Sequence, residues 1–259
     1  MPAMNPRSTA LARQQVRYLT GTALLTVAYV FVPFVLIGYF RNAFFIYLRG
    51  QGYADATGAE LVVPGVVTLY TYLVLAHDGV FTFSEHLWNT WDRVRTVATP
   101  REVVGAKLAV GGAHLLVQSL AIFAGSIIVF DFPFDRRLVT LLPVVLATVC
   151  VGLAWGCLGY VLSPTNATFD AWCYGGGVVL AAIGGAISPL GLLPQVVQEA
   201  APISPVYWTM KAFRSVLLDG AGVGAVVKPT LTLLAFAGVL VVVAGLFFDP
   251  AKQKAGRLQ

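Results

Sequence analysis

The chain has 259 residues, 58% hydrophobic and only 11% charged, with a formal net charge of +5 and a mean hydropathy of +0.78. A water-soluble domain of this size must face its solvent with far more polar surface than that, so lipid surrounds most of this chain. The basic balance does not point to nucleic acid, because an excess of Lys and Arg on the cytoplasmic side of a membrane accounts for it.

At about 20 apolar residues per crossing, six spans are expected: Thr20–Phe40, Leu61–Phe83, Gly105–Phe130, Leu138–Leu162, Asp170–Ile187 and Pro229–Phe248. The expected fold is an all-α membrane protein with one transmembrane domain over 1–259. Its polar pieces are a cytoplasmic segment at 1–19, a cytoplasmic loop at 84–104 and outer helices at 188–228. The first of these lacks the pattern of a cleaved signal and is expected to be kept. Within it Leu11–Leu19 reads as an amphipathic surface helix. Leu11, Ala12, Val16, Tyr18 and Leu19 share one face, with Arg13 and Arg17 opposite.

The first span carries Pro33, which neighbouring helices can accommodate in lipid. The second ends near His77 and Asp78, which form either a protonatable element or a polar substrate contact, or simply reach water at the inner face. After it, Leu87, Trp91, Val94 and Ala98 recur at helical spacing, with Asp92, Arg93 and Arg95 between them. Thr99-Pro100-Arg101-Glu102 then carries a helix start: a capping threonine, proline at the first position and glutamate at the third. The residue before proline also resists helical geometry, so one short helix ends near Ala98 and another begins at Thr99.

On the third span His114, Gln118 and Ser119 share a region, either as contacts between helices or as lining of a substrate path. Gly152 and Gly156 on the fourth span have the spacing that lets two helices approach closely. The fifth span is looser, with Gly175-Gly176-Gly177 and Gly184-Gly185, and is expected to pack tightly, move or break. Gly177 and Gly185 join Gly152 and Gly156 as candidate packing positions. Asn166-Ala167-Thr168 matches a glycosylation acceptor but falls on the cytoplasmic side of this topology.

Pro189, Pro194, Pro202 and Pro205 punctuate the next segment, in which Pro194 and Ser204-Pro205 can open two short interfacial helices. The second carries Tyr207, Met210, Arg214 and Leu217 at helical spacing, with Trp208 and Lys211 beside them. Tyr207 and Trp208 are candidates for the substrate path. Lys211 and Arg214 suit headgroups, anionic lipid or substrate. Cys150, Cys157 and Cys173 are scattered in or beside spans, which suits packing and neither a disulfide framework nor a metal site.

With both termini inside, the cytoplasmic segments hold Arg7, Arg13, Arg17, Arg93, Arg95, Arg101, Lys107, Lys252, Lys254 and Arg257, ten cations. The outer segments hold Arg41, Arg49, Arg136, Arg137, Lys211, Arg214 and Lys228, seven. The bias favours cytoplasmic termini.

The order of these pieces resembles the permease subunit of the type-2 ABC exporter family over nearly the whole length. The resemblance rests on the helix before the first span and on the loop Trp91-Asp92-Arg93-Val94-Arg95-Thr96-Val97-Ala98-Thr99-Pro100 followed by Lys107. It rests equally on Leu193-Pro194, Ile203-Ser204-Pro205 and Phe213–Gly220. It implies that Trp91, Asp92, Arg93, Val94, Arg95, Val97, Ala98, Thr99 and Pro100 form a coupling helix seated in an ATPase subunit. A second permease, identical or related, would complete the path in a bacterial cytoplasmic (inner) membrane. The cargo would be lipophilic or amphipathic: a drug, antibiotic, lipid or glycan. Gly105-Ala106-Lys107-Leu108 is no phosphate loop, so ATP and Mg are expected in the partner, with no cofactor, metal or catalytic residue here. An ion-coupled secondary transporter, an intramembrane enzyme and a purely structural membrane protein are the alternatives.

Overall fold

A computed structural model describes residues 23–78, 83, 86, 91–133 and 137–249. The surface helix expected at Leu11–Leu19 and the basic tail lie outside the described residues. Among those described, secondary structure is entirely helical. Helix α1 spans Ala23–Gly50, α2 Ala59–His77, α3 Trp91–Val97, α4 Pro100–Phe130 and α5 Arg137–Leu162. Helix α6, Asn166–Ala171, runs through a π-turn at Trp172–Gly176 into α7, Gly177–Ile183. Two 3₁₀ turns, Leu190–Leu192 and Ala201–Ile203, flank α8, Gln195–Ala200. Helix α9, Pro205–Leu217, and α10, Gly224–Phe247, complete the order. Five helices, α1, α2, α4, α5 and α10, are long and apolar enough to cross a membrane, so this is a multi-pass membrane protein.

Several boundaries differ from the sequence reading. The first helix continues past Phe40 to Gly50 because Phe44 and Leu48 are buried on its inward face, while the Arg41 Nε–H donates to the Thr57 carbonyl at 3.2 Å. The second ends at His77, with Asp78 as its C-cap, not at Phe83. The segment read as a fifth span from Asp170 to Ile187 is instead helical over 166–183. It opens on a Thr165–Thr168 capping box, where the Thr168 N–H donates to Thr165 Oγ1 at 3.2 Å, and it carries one wide turn midway. Helix α10 starts before Pro229 and holds that proline inside, as α1, α2 and α5 hold Pro33, Pro64 and Pro143.

Helix α2 is the post of the bundle. Within its crossing segment 89% of residues are buried, against 17% for α10, which packs mainly on α5 and turns Val239, Val242 and Leu246 outward. Helices α1, α4, α5, α6–α7 and α9 surround α2. One core cluster gathers Phe44, Leu48, Tyr72, Leu115, Phe169 and Val206 around it. A second joins α5, α9 and α10 through Leu141, Val144, Phe213, Val216 and Leu233.

Close approach to α2 depends on missing side chains. A Cβ on Gly152 would stand 2.6 Å from Thr71 Cγ2, one on Gly156 3.3 Å from Leu75 Cδ2, and one on Gly177 2.6 Å from Tyr72 Cβ. Gly65 on α2 itself lies against the Ala186 carbonyl, and Gly184 against Val206. Gly185 does not act by packing, since its added Cβ would make ordinary contact with Leu190 at 3.4 Å. Its φ of +83° turns the chain out of the helix, which a side chain would resist.

Gly177→Val is expected to cost about 1–3 kcal/mol, read as a lower unfolding temperature of the detergent-solubilised protein. Gly238→Val on α10, with nothing within 4 Å, should stay within about 0.5 kcal/mol of the parent. Equal melting of the two variants would contradict the close approach.

Candidate functional site

The bundle has two polar ends, and the candidate residues divide between them. At one end the chain turns between α3 and α4. Ala98 and Val103 are buried against each other with Val94 half-buried beside them, a small apolar hinge under an exposed surface of Asp92, Arg93, Thr96 and Thr99. Thr99 is extended, with φ −72° and ψ 151°, and its Oγ1 accepts from the Glu102 N–H at 3.3 Å. The Glu102 carboxylate accepts in return from the Thr99 N–H at 2.8 Å. This capping box closes both open donors and fixes the angle at which α4 leaves the corner. Trp91, Arg95 and Val97 take helical backbone in α3, and Pro100 stands at the start of α4. Their side chains lie outside the description.

The loop before the corner is held at two points. Phe83 is fully buried, 5.1 Å ring to ring from Tyr160 and 5.6 Å from Phe169. His86 Nε2 and the Tyr160 hydroxyl are 2.9 Å apart. The segment approaching α3 is thereby anchored to the end of α5 and to α6.

His77, Asp78, His114 and Gln118 come together above this corner. His114 Nδ1 lies 3.1 and 3.2 Å from the two Asp78 carboxylate oxygens, and both side chains are nearly buried. A carboxylate in an apolar bundle needs such a partner, because desolvation of a lone charge outweighs most packing gains. The His77 ring lies 6.4 Å from His114 and 5.1 Å from Tyr29. Gln118 Nε2 donates to the Tyr29 carbonyl at 3.2 Å, and the Tyr29 and Tyr174 hydroxyls meet at 2.6 Å. The group therefore ties α1, α2, α4 and the π-turn together. His77 Nε2, Gln118 Oε1 and Asp170 Oδ1 are buried without a hydrogen-bond partner, so polar capacity remains for a water, a proton or a cargo group. Asp78 also borders a cavity of about 80 Å³, with Lys107, Tyr160, Phe169 and Phe248 among its walls, which is room for water.

Tyr207 and Trp208 are not part of this group. They stand on α9, at the end of the bundle where α2 begins. Leu61 and Asp78 mark the two ends of α2, roughly 25 Å apart at 1.5 Å per residue. The Trp208 Nε1–H donates to the Pro202 carbonyl at 3.0 Å, and Tyr207 lines a separate cavity. Ser204 holds α9 in place: its Oγ accepts from the Val206 N–H at 3.2 Å and donates to the Leu180 carbonyl on α7 at 2.8 Å.

Tyr29, Tyr174, Asp170, Phe83 and His86 were not singled out from the sequence. Asp170 carried the one usable signal, an ionisable residue at the edge of an apolar span. Asn166 Nδ2 donates to its Oδ2 at 3.0 Å, so the Asn166 amide serves the helix start. Cys150, Cys157 and Cys173 are free thiols. No cluster of His, Cys, Asp and Glu suited to a metal ion occurs among the described residues. Comparison with family models, curated proteins and solved structures finds no match.

The Asp78–His114 contact should register in a double-mutant cycle. Asp78→Ala and His114→Ala are each expected to destabilise, and the double variant to lose less than their sum by about 0.5–3 kcal/mol. Thermal melts in one detergent measure it. Strict additivity would mean that the pair does not interact.

Proposed function

We propose that this chain is the transmembrane subunit of an ATP-driven exporter of the type-2 ABC kind, moving a lipophilic or amphipathic cargo. The observation that carries the reading is the corner at Thr99. An exposed short helix, set by a two-way capping box and anchored through Phe83 and His86, stands at the start of a 31-residue helix. At 1.5 Å per residue α4 is a rod roughly 46 Å long. A push on α3 therefore moves His114 and Gln118, in its middle, relative to α1 and α2.

In this reading α3 seats in a separate ATPase subunit, which holds the nucleotide and Mg. The helix 166–183 is the sixth crossing, its π-turn keeping it pliant. Both termini and the corner face the cytoplasm, α8 and α9 face outward, and a second permease, identical or related, completes the path. Transport then requires that cargo bind the two arrangements of the bundle with different affinity. The polar group around Asp78 and His114 is suited to that difference, because α4 carries one side of it and α1 and α2 the other.

A second reading rests on the same polar group. Two histidines and an aspartate inside apolar helices are the material of a proton-coupled secondary transporter. Proteoliposomes holding this chain alone separate the two. Cargo uptake driven by a pH gradient without ATPase would favour the second reading and end the first.

The corner supplies the direct test. Thr99→Ala removes a cap worth about 0.5–2 kcal/mol, and Pro100→Gly loosens the first turn of α4. The double variant, reconstituted with the ATPase encoded beside its gene, should insert normally yet lose ATP hydrolysis and export together. Arg137→Ala at the far turn should lose neither. Full activity in a stably folded double variant would remove the coupling role.

Orientation is tested independently by labelling. Cysteine at Arg93 should react with a membrane-impermeant thiol reagent only from the cytoplasm, and cysteine at Glu199 only from outside. The reverse pattern would overturn the topology.

A further inference from the structure

The end of the bundle that carries α9 holds a cavity of about 330 Å³, at the lower limit for small-molecule sites. Tyr47 on α1, Leu61 on α2, Tyr207, Lys211 and Arg214 on α9 and Asp219 beyond it contribute to its wall. Two cations and one acid thus face a single space. The acid is already engaged, because the Tyr53 hydroxyl donates to Asp219 Oδ1. The Arg214 guanidinium hydrogen-bonds the hydroxyls of Tyr47 and Tyr53, which are neutral acceptors. The Lys211 ammonium lies 5.6 Å from the Tyr207 ring and 5.4 Å from the Trp208 ring. Among the described residues neither cation has a carboxylate within ion-pair distance.

This arrangement leaves positive charge in a walled space with aromatic sides and no internal counter-ion. Snorkelling alone would send both side chains outward to bulk headgroups. Here the hydroxyls of Tyr47 and Tyr53 hold Arg214 half-buried at the cavity instead. The segment that supplies Pro189 and Leu190 to the wall also exposes Leu192 and Val196, so apolar surface continues from the charged space.

We propose that this cavity binds the anionic headgroup of an amphiphile, a phosphate or carboxylate, with Lys211 and Arg214 as its charge partners and Tyr47 and Tyr207 as its walls. The volume admits a headgroup and not an acyl chain, which would run along Leu192 and Val196. The anion has two sources, a membrane lipid or a soluble phosphate. The site does not depend on how the export reading falls, since binding needs neither an ATPase nor transport.

The test is a titration of the full-length chain in a neutral detergent, followed by calorimetry and by Trp fluorescence, because Trp208 adjoins Lys211. The probes are short-chain phosphatidylglycerol, phosphatidylcholine of the same chain length, and inorganic phosphate. Saturable binding of phosphatidylglycerol without phosphatidylcholine is expected. Lys211→Gln, an exposed position that folding does not need, should weaken it about tenfold, the loss of one charge-assisted contact. Arg214→Gln should weaken it at least as much. Lys228→Gln, whose ammonium is 5.8 Å from the Trp208 ring but outside the cavity wall, should bind as the parent does. If inorganic phosphate saturates the same site with the same variant pattern, the ligand comes from solution; if it is silent, a lipid is the source. The site is overturned if neither phosphatidylglycerol nor phosphate saturates, or if phosphatidylcholine binds equally. It is equally overturned if Lys211→Gln binds like the parent, or if Lys228→Gln is as damaging as Lys211→Gln.

Discussion

A helix that meets protein on every side sets the terms for all its neighbours, and α2 is such a helix. In lipid, apolar side chains gain little by leaving the solvent, so association rests on close contact and on polar groups finding one another. The neighbours of α2 reach it where they have nothing to interpose: Gly152 and Gly156 from α5, Gly177 from α7. The polar groups follow from the same constraint. Thr68 and Thr71 on α2 donate to the Pro64 and Val67 carbonyls at 2.7 and 3.0 Å, each one turn back on the helix, which hides their hydroxyls inside it. Asp78 at the end of α2 has no such local remedy and draws in His114 from α4.

The two polar ends have different characters for this reason. At the end where α2 finishes, charge is paired across helices and buried, so any movement of α4 against α2 must strain or exchange the Asp78–His114 contact. At the other end the cations are held by tyrosines and face open volume. One end can respond to mechanical displacement, and the other can receive a ligand. The intervening 25 Å, roughly, of packed helix separates the two tasks.

How far the sequence disclosed this depended on how local each signal was. The Thr99 corner was readable in full, because a capping box needs only four consecutive residues. The loose fifth span was recognised from its glycines, but the π-turn at Trp172–Gly176 was not, since it arises from the stacked Trp155 and Trp172 rings, 4.3 Å apart, on separate helices. Gly185 was grouped with the packing glycines because a backbone angle leaves no trace in composition. The helix ends at Gly50 and His77 were misplaced for a similar reason. Hydropathy windows report average apolarity and miss a helix that keeps one buried face past Arg41. His77, Asp78, His114 and Gln118 were named separately, and their meeting required knowing which faces of α2 and α4 oppose each other. Tyr207 and Trp208 were placed on one path with them, and only the fold sets the two groups at opposite ends.

The π-turn carries one more residue than an α-helical turn would, and that surplus sets a phase. Removing one residue from Trp172–Gly176 would rotate everything after it by about 100° relative to everything before it. Tyr174 would then leave Tyr29, or else Gly177 and Ala181 would leave α2. The helix thus behaves as two separately clocked halves, and its length in residues, more than its apolarity, is what this stretch of chain cannot vary.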